Sequence, residues 1–383
     1  MMNIQEFQID HWSKQTTRAP GSYASALSVN DLKRLSTNPG LEVFDPELKL
    51  TYGSYEGSLR LRERIAELHS SENNKLTAEN VLITPGSIMA NYLLLSTICG
   101  PGDHVICQYP TYGQLYLVPK FAGVDVGLWK MHENGWMPSI DELAAMIKPN
   151  TKAIILNNPN NPTGAVLPIG FLLKIAEIAR RYNILVFSDE VFSPMYFTEP
   201  APPSFVSIGY ANSVATGSLS KAFAIPGIRL GWIVTQNTEL MHKVSKARDY
   251  TTISVSQLDD SVAAFALDPA VLPNLMKRNL ALCKESIAIL DEFVKRNAKQ
   301  CHWVTPRGAG TAFVQILDRD RKPVDDMEFG KRLSDEESVC VIPGACFSEG
   351  SSDDFKGYVR ITLGDPNLLR ESLPLLERLF QKI

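Results

Sequence analysis

The sequence predicts an α/β protein: a mostly parallel sheet covered by helices, with a smaller α+β domain formed by the C-terminal part and an N-terminal arm. Three observations carry that expectation. Between residues 81 and 234 short apolar runs alternate with segments of helical periodicity, the pattern of strands joined by helical crossovers. Small, polar and turn-forming residues fall at or just after the ends of those runs, where ligands sit in open parallel sheets. From about residue 269 the order changes to long helices with three short strands, TAFVQIL, SVCVI and GYVRITL. The expected divisions are an arm over 1–50, a large domain over 51–268 and a small domain over 269–383.

Taken in order, residues 1 to about 50 read as an irregular arm that needs other surface to settle on, with turn signals at APG (19–21) and NPG (38–40). TYGSYEG (51–57) is a turn-rich loop holding Tyr52 and Tyr55. Leu61, Ile65 and Leu68 then mark one helix face. VLIT (81–84) is a short strand, and Pro85, Gly86 and Ser87 open a nearly all-apolar helix over 88–98. Free N–H groups at such a turn, those of Gly86 and Ile88 included, suit an anion, although a plain strand–helix turn has the same sequence. VICQYPTYGQLY (105–116) is a strand running into an aromatic loop, where Tyr112 either stacks on a flat ring or simply packs. A capping box at Ser139 and Glu142 starts the next helix, and 152–157 is a buried strand.

That strand runs into NPNNPTG (158–164), a solvated turn or a set of ligand-binding asparagines with Asn161 foremost. Pro168 starts a helix with Leu172, Ile175, Ile178 and Tyr182 on one face. ILVFSDE (184–190) ends in two carboxylates. Asp189, costly to bury alone, is a helix cap, a surface acid or the partner of a protonated ring nitrogen. A helical region with a polar face follows from Thr238, then helices around 274–296 and 326–337 and a last one carrying Leu368, Leu369, Leu376 and Leu379. Arg360, amid the apolar GYVRITL, is a carboxylate-binding arginine or one that snorkels from an edge strand.

The stretch 213–233, SVATGSLSKAFAIPGIRLGWI, carries the most chemistry. An apolar run ends in Ser218 and Ser220, leads to Lys221, turns at Pro226–Gly227, and reaches Arg229 before a second apolar run. One reading is a strand–turn–strand with a surface lysine and arginine. The other is a desolvated amine that loses its proton readily and attacks a carbonyl, beside hydroxyls and an arginine that grip a phosphate. Gly86, Tyr112, Asn161, Asp189 and Lys221 all fall on the same predicted sheet edge, which favours the second.

Composition narrows the function classes. A chain of 383 residues suggests two domains, or one with an appendage. Net charge is −4, with 38 basic against 42 acidic residues and no concentrated basic run, so nucleic acid and anionic membranes are not favoured partners. No stretch approaches the roughly 20 apolar residues of a membrane span, and the N-terminus lacks a secretory pattern. Six scattered cysteines without CxxC suggest a reducing cytosol and no structural zinc, and the six dispersed histidines give no support for a metal centre.

The motifs NNPTG (160–164), SDE (188–190) and SLSKAFAIPGIRLGW (218–232), in that order and spacing, with GYVRITLG (357–364) later, resemble the class I/II aminotransferases, pyridoxal 5'-phosphate (PLP)-dependent enzymes of fold type I. The resemblance covers nearly the whole chain and is strongest over 52–232. It implies that Lys221 forms the Schiff base with PLP, that Asp189 pairs with the pyridine nitrogen, and that Asn161 bonds the phenolic oxygen. It further implies that Tyr112 stacks on the ring and that Ser87, the Gly86 and Ile88 amides, Ser218, Ser220 and Arg229 hold the phosphate. Arg360 would bind the substrate α-carboxylate, and Tyr52 would reach the phosphate of a neighbouring subunit in a homodimer.

Two departures accompany it. Phe192 stands where the family usually has a tyrosine bonding the phenolic oxygen. The N-terminal segment APGSYASALSVNDLKRL (19–35) shows no placeable substrate-loop glycine and resembles capreomycidine synthase-like members, in which this fold performs elimination and ring closure. The expected function is amino-group transfer from an amino acid to a 2-oxo acid, with a PLP lyase or cyclase as the alternative. A non-catalytic PLP-sensing regulator would need a DNA-binding domain ahead of this fold, for which the short arm leaves no room.

Overall fold

A computed structural model of the chain describes residues 21–349, 354–380 and 382. The predicted arm is therefore described only from Gly21 onward, and residues 1–20 lie outside the described residues.

The larger sheet has eight strands: β1 Val81–Thr84, β2 His104–Tyr109, β3 Asp125–His132, β4 Met137–Pro138, β5 Thr151–Asn157, β6 Leu185–Asp189, β7 Ser213–Ser218 and β8 Gly231–Thr235. Their order is β1-β8-β7-β6-β5-β2-β3-β4. The run β7-β6-β5-β2-β3 is parallel, whereas β8 lies antiparallel between β1 and β7, and β4 is antiparallel to β3. The sheet is mostly parallel as predicted, with β8 and the edge strand β4 reversed.

Strand alternation sends Ile155, Phe187, Val214 and Ile233 to one face, under Leu93 and Leu94 of the helix Gly86–Ile98. It sends Ile154 and Val186 to the other, under Leu172 and Ile175 of the helix Ile169–Tyr182. With both faces covered, the central strands read as continuous apolar runs. Each such buried side chain contributes roughly 1.5–3 kcal/mol. The chain moves from β2 outward to β3 in one direction and from β5 through β6 to β7 in the other. The carboxyl ends of β2 and β5 therefore flank a switch-point crevice.

A second sheet, order β11-β12-β10-β9, is wholly antiparallel and comprises β9 Cys301–Trp303, β10 Thr311–Ile316, β11 Ile342–Pro343 and β12 Tyr358–Thr362. The predicted strand over 338–342 narrows to β11, because Ser338 takes a left-handed conformation (φ 56°) that ends the preceding helix Asp326–Glu337. The predicted aromatic loop stops at Gly113. A helix Gln114–Phe121 and the unforeseen β3 follow, the latter alternating between exposed and buried residues near the sheet edge. A helix Gln257–Ala266 was likewise not foreseen.

The described part of the arm is fastened beside β12. Ser25 N donates to Gly364 O at 3.0 Å, and Ser28 caps a short helix Val29–Leu35. Gly364 (φ +109°) leaves room for this passage: a Cβ there would stand 2.6 Å from Ala24 Cα.

Candidate functional site

A pocket of about 240 Å³ opens at the carboxyl ends of the parallel strands and reaches β12 of the second sheet and the arm. Asp189 ends β6 and is 3% exposed. Its carboxylate accepts from Asn91 Nδ2 at 3.0 Å and from Val191 N at 3.1 Å. Burial pushes its pKa up to about 6, against the lowering pull of those hydrogen bonds.

Lys221 follows β7. Its Nζ donates to Ser22 Oγ at 2.7 Å and lies 5.5 Å from the centroid of the Tyr23 ring. Burial, then the charges of Arg360 and Arg229, bring its pKa down to about 8, with Asp189 opposing. Lys221 is half-buried and lines this pocket together with Ser22 and Tyr23.

Arg360 lies on β12, between β10 and β11, so it is not an edge-strand arginine. It is 4% exposed, donates to Asn161 Oδ1 at 3.1 Å, sits 5.7 Å over the Phe347 ring, and leaves its buried Nε without a hydrogen bond. Desolvation lowers its pKa to about 10. Asn161 is oriented in turn by Asn157, whose Oδ1 accepts from Asn161 N at 2.7 Å while its Nδ2 donates to Asp189 O at 3.1 Å. The other two asparagines of the loop are structural: Asn158 accepts from Leu167 N at 2.9 Å, and Asn160 Nδ2 donates to Pro110 O at 3.0 Å. Tyr112 and Phe192 also line the pocket. Phe192 is 2% exposed and brings only a ring.

The opposite end is cationic and rich in donors. Ser87 and Ile88 line it from the first turn of the helix Gly86–Ile98, and Arg229 and Ser220 close it from the loop after β7. Gly86 (φ +78°) is required here, since a Cβ would meet Arg229 Nη2 at 2.7 Å. Gly231 lets β8 approach just as closely: its Cβ would stand 2.4 Å from Ser87 N. Ser220 Oγ is 3.5 Å from Arg229 Nη1. Ser218 is not a lining residue. Its hydroxyl accepts from Ser220 N at 2.8 Å and shapes the loop from behind. Tyr52 is 75% exposed and lies in a separate groove with Leu50 and Val255, outside this pocket.

Asn91, Ser22 and Tyr23 are among the lining residues not singled out from the sequence. Asn91, whose Oδ1 also accepts from Thr216 Oγ1 at 2.7 Å, was hidden in an apolar helix, where a lone buried amide is itself the signal. Ser22 and Tyr23 had no local signal, because the second sheet brings them in.

The donor set suits one group. A buried acid suits a protonated ring nitrogen, a lowered amine suits an aldehyde, and a helix N-terminus with an arginine and a serine suits a phosphate. These are the parts of pyridoxal 5'-phosphate. Among the described residues no cluster of three His, Cys, Asp or Glu is arranged to hold a metal.

Comparison with known proteins agrees. A profile of the family "Aminotransferase class I and II" matches residues 27–374. Arginine–pyruvate transaminase of Pseudomonas aeruginosa is 31% identical over 323 residues, covering 82% of this chain and 77% of its own. A PLP-dependent aminotransferase from Streptococcus suis superposes with a TM-score of 0.89 at 33% identity, over 100% of this chain and 97% of that one. The PLP-dependent cyclase OrfR superposes with a TM-score of 0.86 over 98% and 97% of the two chains, and at 24% identity that likeness concerns the fold alone. With a matching profile over most of its length and a pocket whose donors suit the cofactor, the chain belongs to the class I and II aminotransferases and is a PLP-dependent enzyme of fold type I.

Proposed function

We propose that this aminotransferase moves the α-amino group of an amino acid to a 2-oxo acid, with Lys221 as the amine that holds the cofactor and then carries the proton. One observation supports this reading above the rest. In a single pocket the buried carboxyl of Asp189, the amine of Lys221 and the buried guanidinium of Arg360 converge with the donor-rich end made by Ser87, Ser220 and Arg229. When bound, pyridoxal 5'-phosphate supplies an aldehyde carbon and an electron-withdrawing ring. Every other part of the task falls to the chain.

Arg229, Ser87, Ser220 and the Gly86 and Ile88 amides would hold the phosphate, with Ser218 supporting their loop. Asp189 would keep the ring nitrogen protonated, Asn91 would orient Asp189, and Tyr112 would lie against the ring. Asn161 would bond the phenolic oxygen while it braces Arg360, whose unused Nε and remaining donors suit a substrate carboxylate. Lys221, released when the substrate amine takes its place, would accept the Cα proton. A base so placed contributes typically about 10²–10⁴-fold. Phe192 adds apolar contact only.

The chain works as a homodimer in this reading, with Tyr52 reaching the phosphate end of the partner subunit's pocket. The exposure of Tyr52 outside its own pocket supports that. Residues 1–50 act as the arm, 51–268 as the cofactor domain and 269–383 as the small domain. Six free cysteines fit a reducing cytoplasm.

Borohydride reduction of the holoenzyme followed by peptide mapping should place a pyridoxyl group on Lys221, and Lys221→Ala should abolish both label and turnover. A label on another lysine would overturn the assignment. A single burst of oxo acid without acceptor, then turnover once a 2-oxo acid is added, marks transfer; continuous turnover without acceptor would establish the lyase or cyclase instead.

A further inference from the structure

The arm places a hydroxyl against the nucleophilic amine, and the geometry around it is built rather than incidental. Ser22 is 5% exposed, and its Oγ is 2.7 Å from Lys221 Nζ. Its backbone is held from several sides. Thr362 Oγ1 donates to Gly21 O, Ser25 N donates to Gly364 O at 3.0 Å, and Arg278 Nη2 donates to Ser25 O at 2.8 Å. Gly310 packs so closely that a Cβ there would stand 3.0 Å from Ser22 O. The charged groups acting on Lys221 are Arg360 from β12, Arg229 from the loop before β8 and Asp189 from β6, while Tyr23 covers it with a ring. From the side of β6, Phe192 offers no polar atom. Ser22 is thus a side chain that hydrogen-bonds the amine.

We propose that Ser22 is a positioning residue for Lys221: its hydroxyl accepts a hydrogen bond from the amine and aims it into the pocket. The inference rests on the reading of Lys221 as the cofactor-holding amine. A hydroxyl bonds an ammonium more strongly than a neutral amine, so the contact both directs Lys221 and retains its proton.

The test is the rate at which full-length protein stripped of cofactor captures added pyridoxal 5'-phosphate, followed against pH. Only the neutral amine attacks, so the profile reports the apparent pKa of Lys221, and its plateau reports the aim of the amine. Ser22→Ala should lower the apparent pKa by about one unit and the plateau several-fold. Ser22→Thr should restore both, and Gly310→Ala, which displaces the Ser22 backbone, should lower the plateau. Borohydride mapping of Ser22→Ala must still label Lys221. If that label is absent in the wild-type protein, the reading of Lys221 fails. If it is present but Ser22→Ala captures with the wild-type profile, the positioning role fails while the Lys221 reading stands. A capture defect that Ser22→Thr shares in full also overturns the role of the hydroxyl.

Discussion

Asp189 and Lys221 give the pocket a pH signature of its own. The folded protein holds the Asp189 proton to about 6 against an ordinary 3.8, so the contribution to stability is complete below 3.8 and lost as pH rises through about 6. The Lys221 amine is depressed from 10.5 to about 8, so its contribution is present above 10.5 and lost as pH falls through about 8. Without cofactor, both groups are charged and costly between about 6 and 8. Asp189→Asn in the cofactor-free protein is expected to match wild type near pH 4 and to gain stability toward pH 7, by a difference of the order of 2–3 kcal/mol, in melting curves taken across that range. Turnover should fall in the same variant, because an amide cannot hold the ring nitrogen's proton. At Arg360 the expectation concerns binding. Arg360→Lys keeps the charge but loses the fork, so KM for the amino acid should rise about 10–100-fold, with kcat falling less, in steady-state assays. Lys221, Asp189, Asn161 and Arg360 were legible in the sequence, because a charged or amide group at the end of, or inside, an apolar run has few bland explanations. Asn91 carried the same kind of signal more faintly, and Ser22 carried none.

Elements were legible to the extent that burial repeats along the chain. β1, β2, β7 and β8 are buried at every residue, and each carries an apolar stretch that reads as a strand. β3 is buried only at intervals and interrupted by Gly127 and Lys130, so periodicity did not separate it from loop. The direction of β8 was not legible either, since alternation in sequence says nothing about which way a strand runs. Its register nevertheless has a checkable consequence. Gly217 of β7 faces Trp232 of β8, and a Cβ at 217 would stand 2.5 Å from the indole Nε1. That nitrogen donates to His69 Nε2 at 2.9 Å, at the end of the helix Leu59–His69. Gly217→Ala must therefore displace a buried indole and break its hydrogen bond. The expected loss is about 2–4 kcal/mol in urea unfolding, with a folded remainder that binds cofactor weakly because β7 leads directly into Ser218 and Lys221.

At the scale of the whole molecule, the site is a seam between the two sheets. Asp189 and Lys221 come from the parallel sheet, Arg360 from the antiparallel one, and Ser22 from an arm fastened to Gly364. Sequence patterns are local, so they located Asp189, Lys221 and Arg360 without showing that β12 and the arm close the pocket. What the single chain does not bring to the pocket is Tyr52. It stands exposed in a stretch that also exposes Leu50, Tyr55 and Leu59, an apolar surface suited to a second copy. If the partner subunit supplies the tyrosine, two defective chains can repair one another. Lys221→Ala lacks the amine but retains Tyr52, and Tyr52→Ala has the reverse defect. In a mixed dimer one pocket then has both residues intact and the other has neither. Random reassortment of equal amounts makes half the dimers mixed, so about a quarter of all pockets should become functional, well above either variant alone. Were Tyr52 to serve its own subunit, every pocket in every dimer would carry a defect and mixing would restore nothing. Activity measured after denaturing and refolding the two variants together, against each refolded alone, decides between the two arrangements.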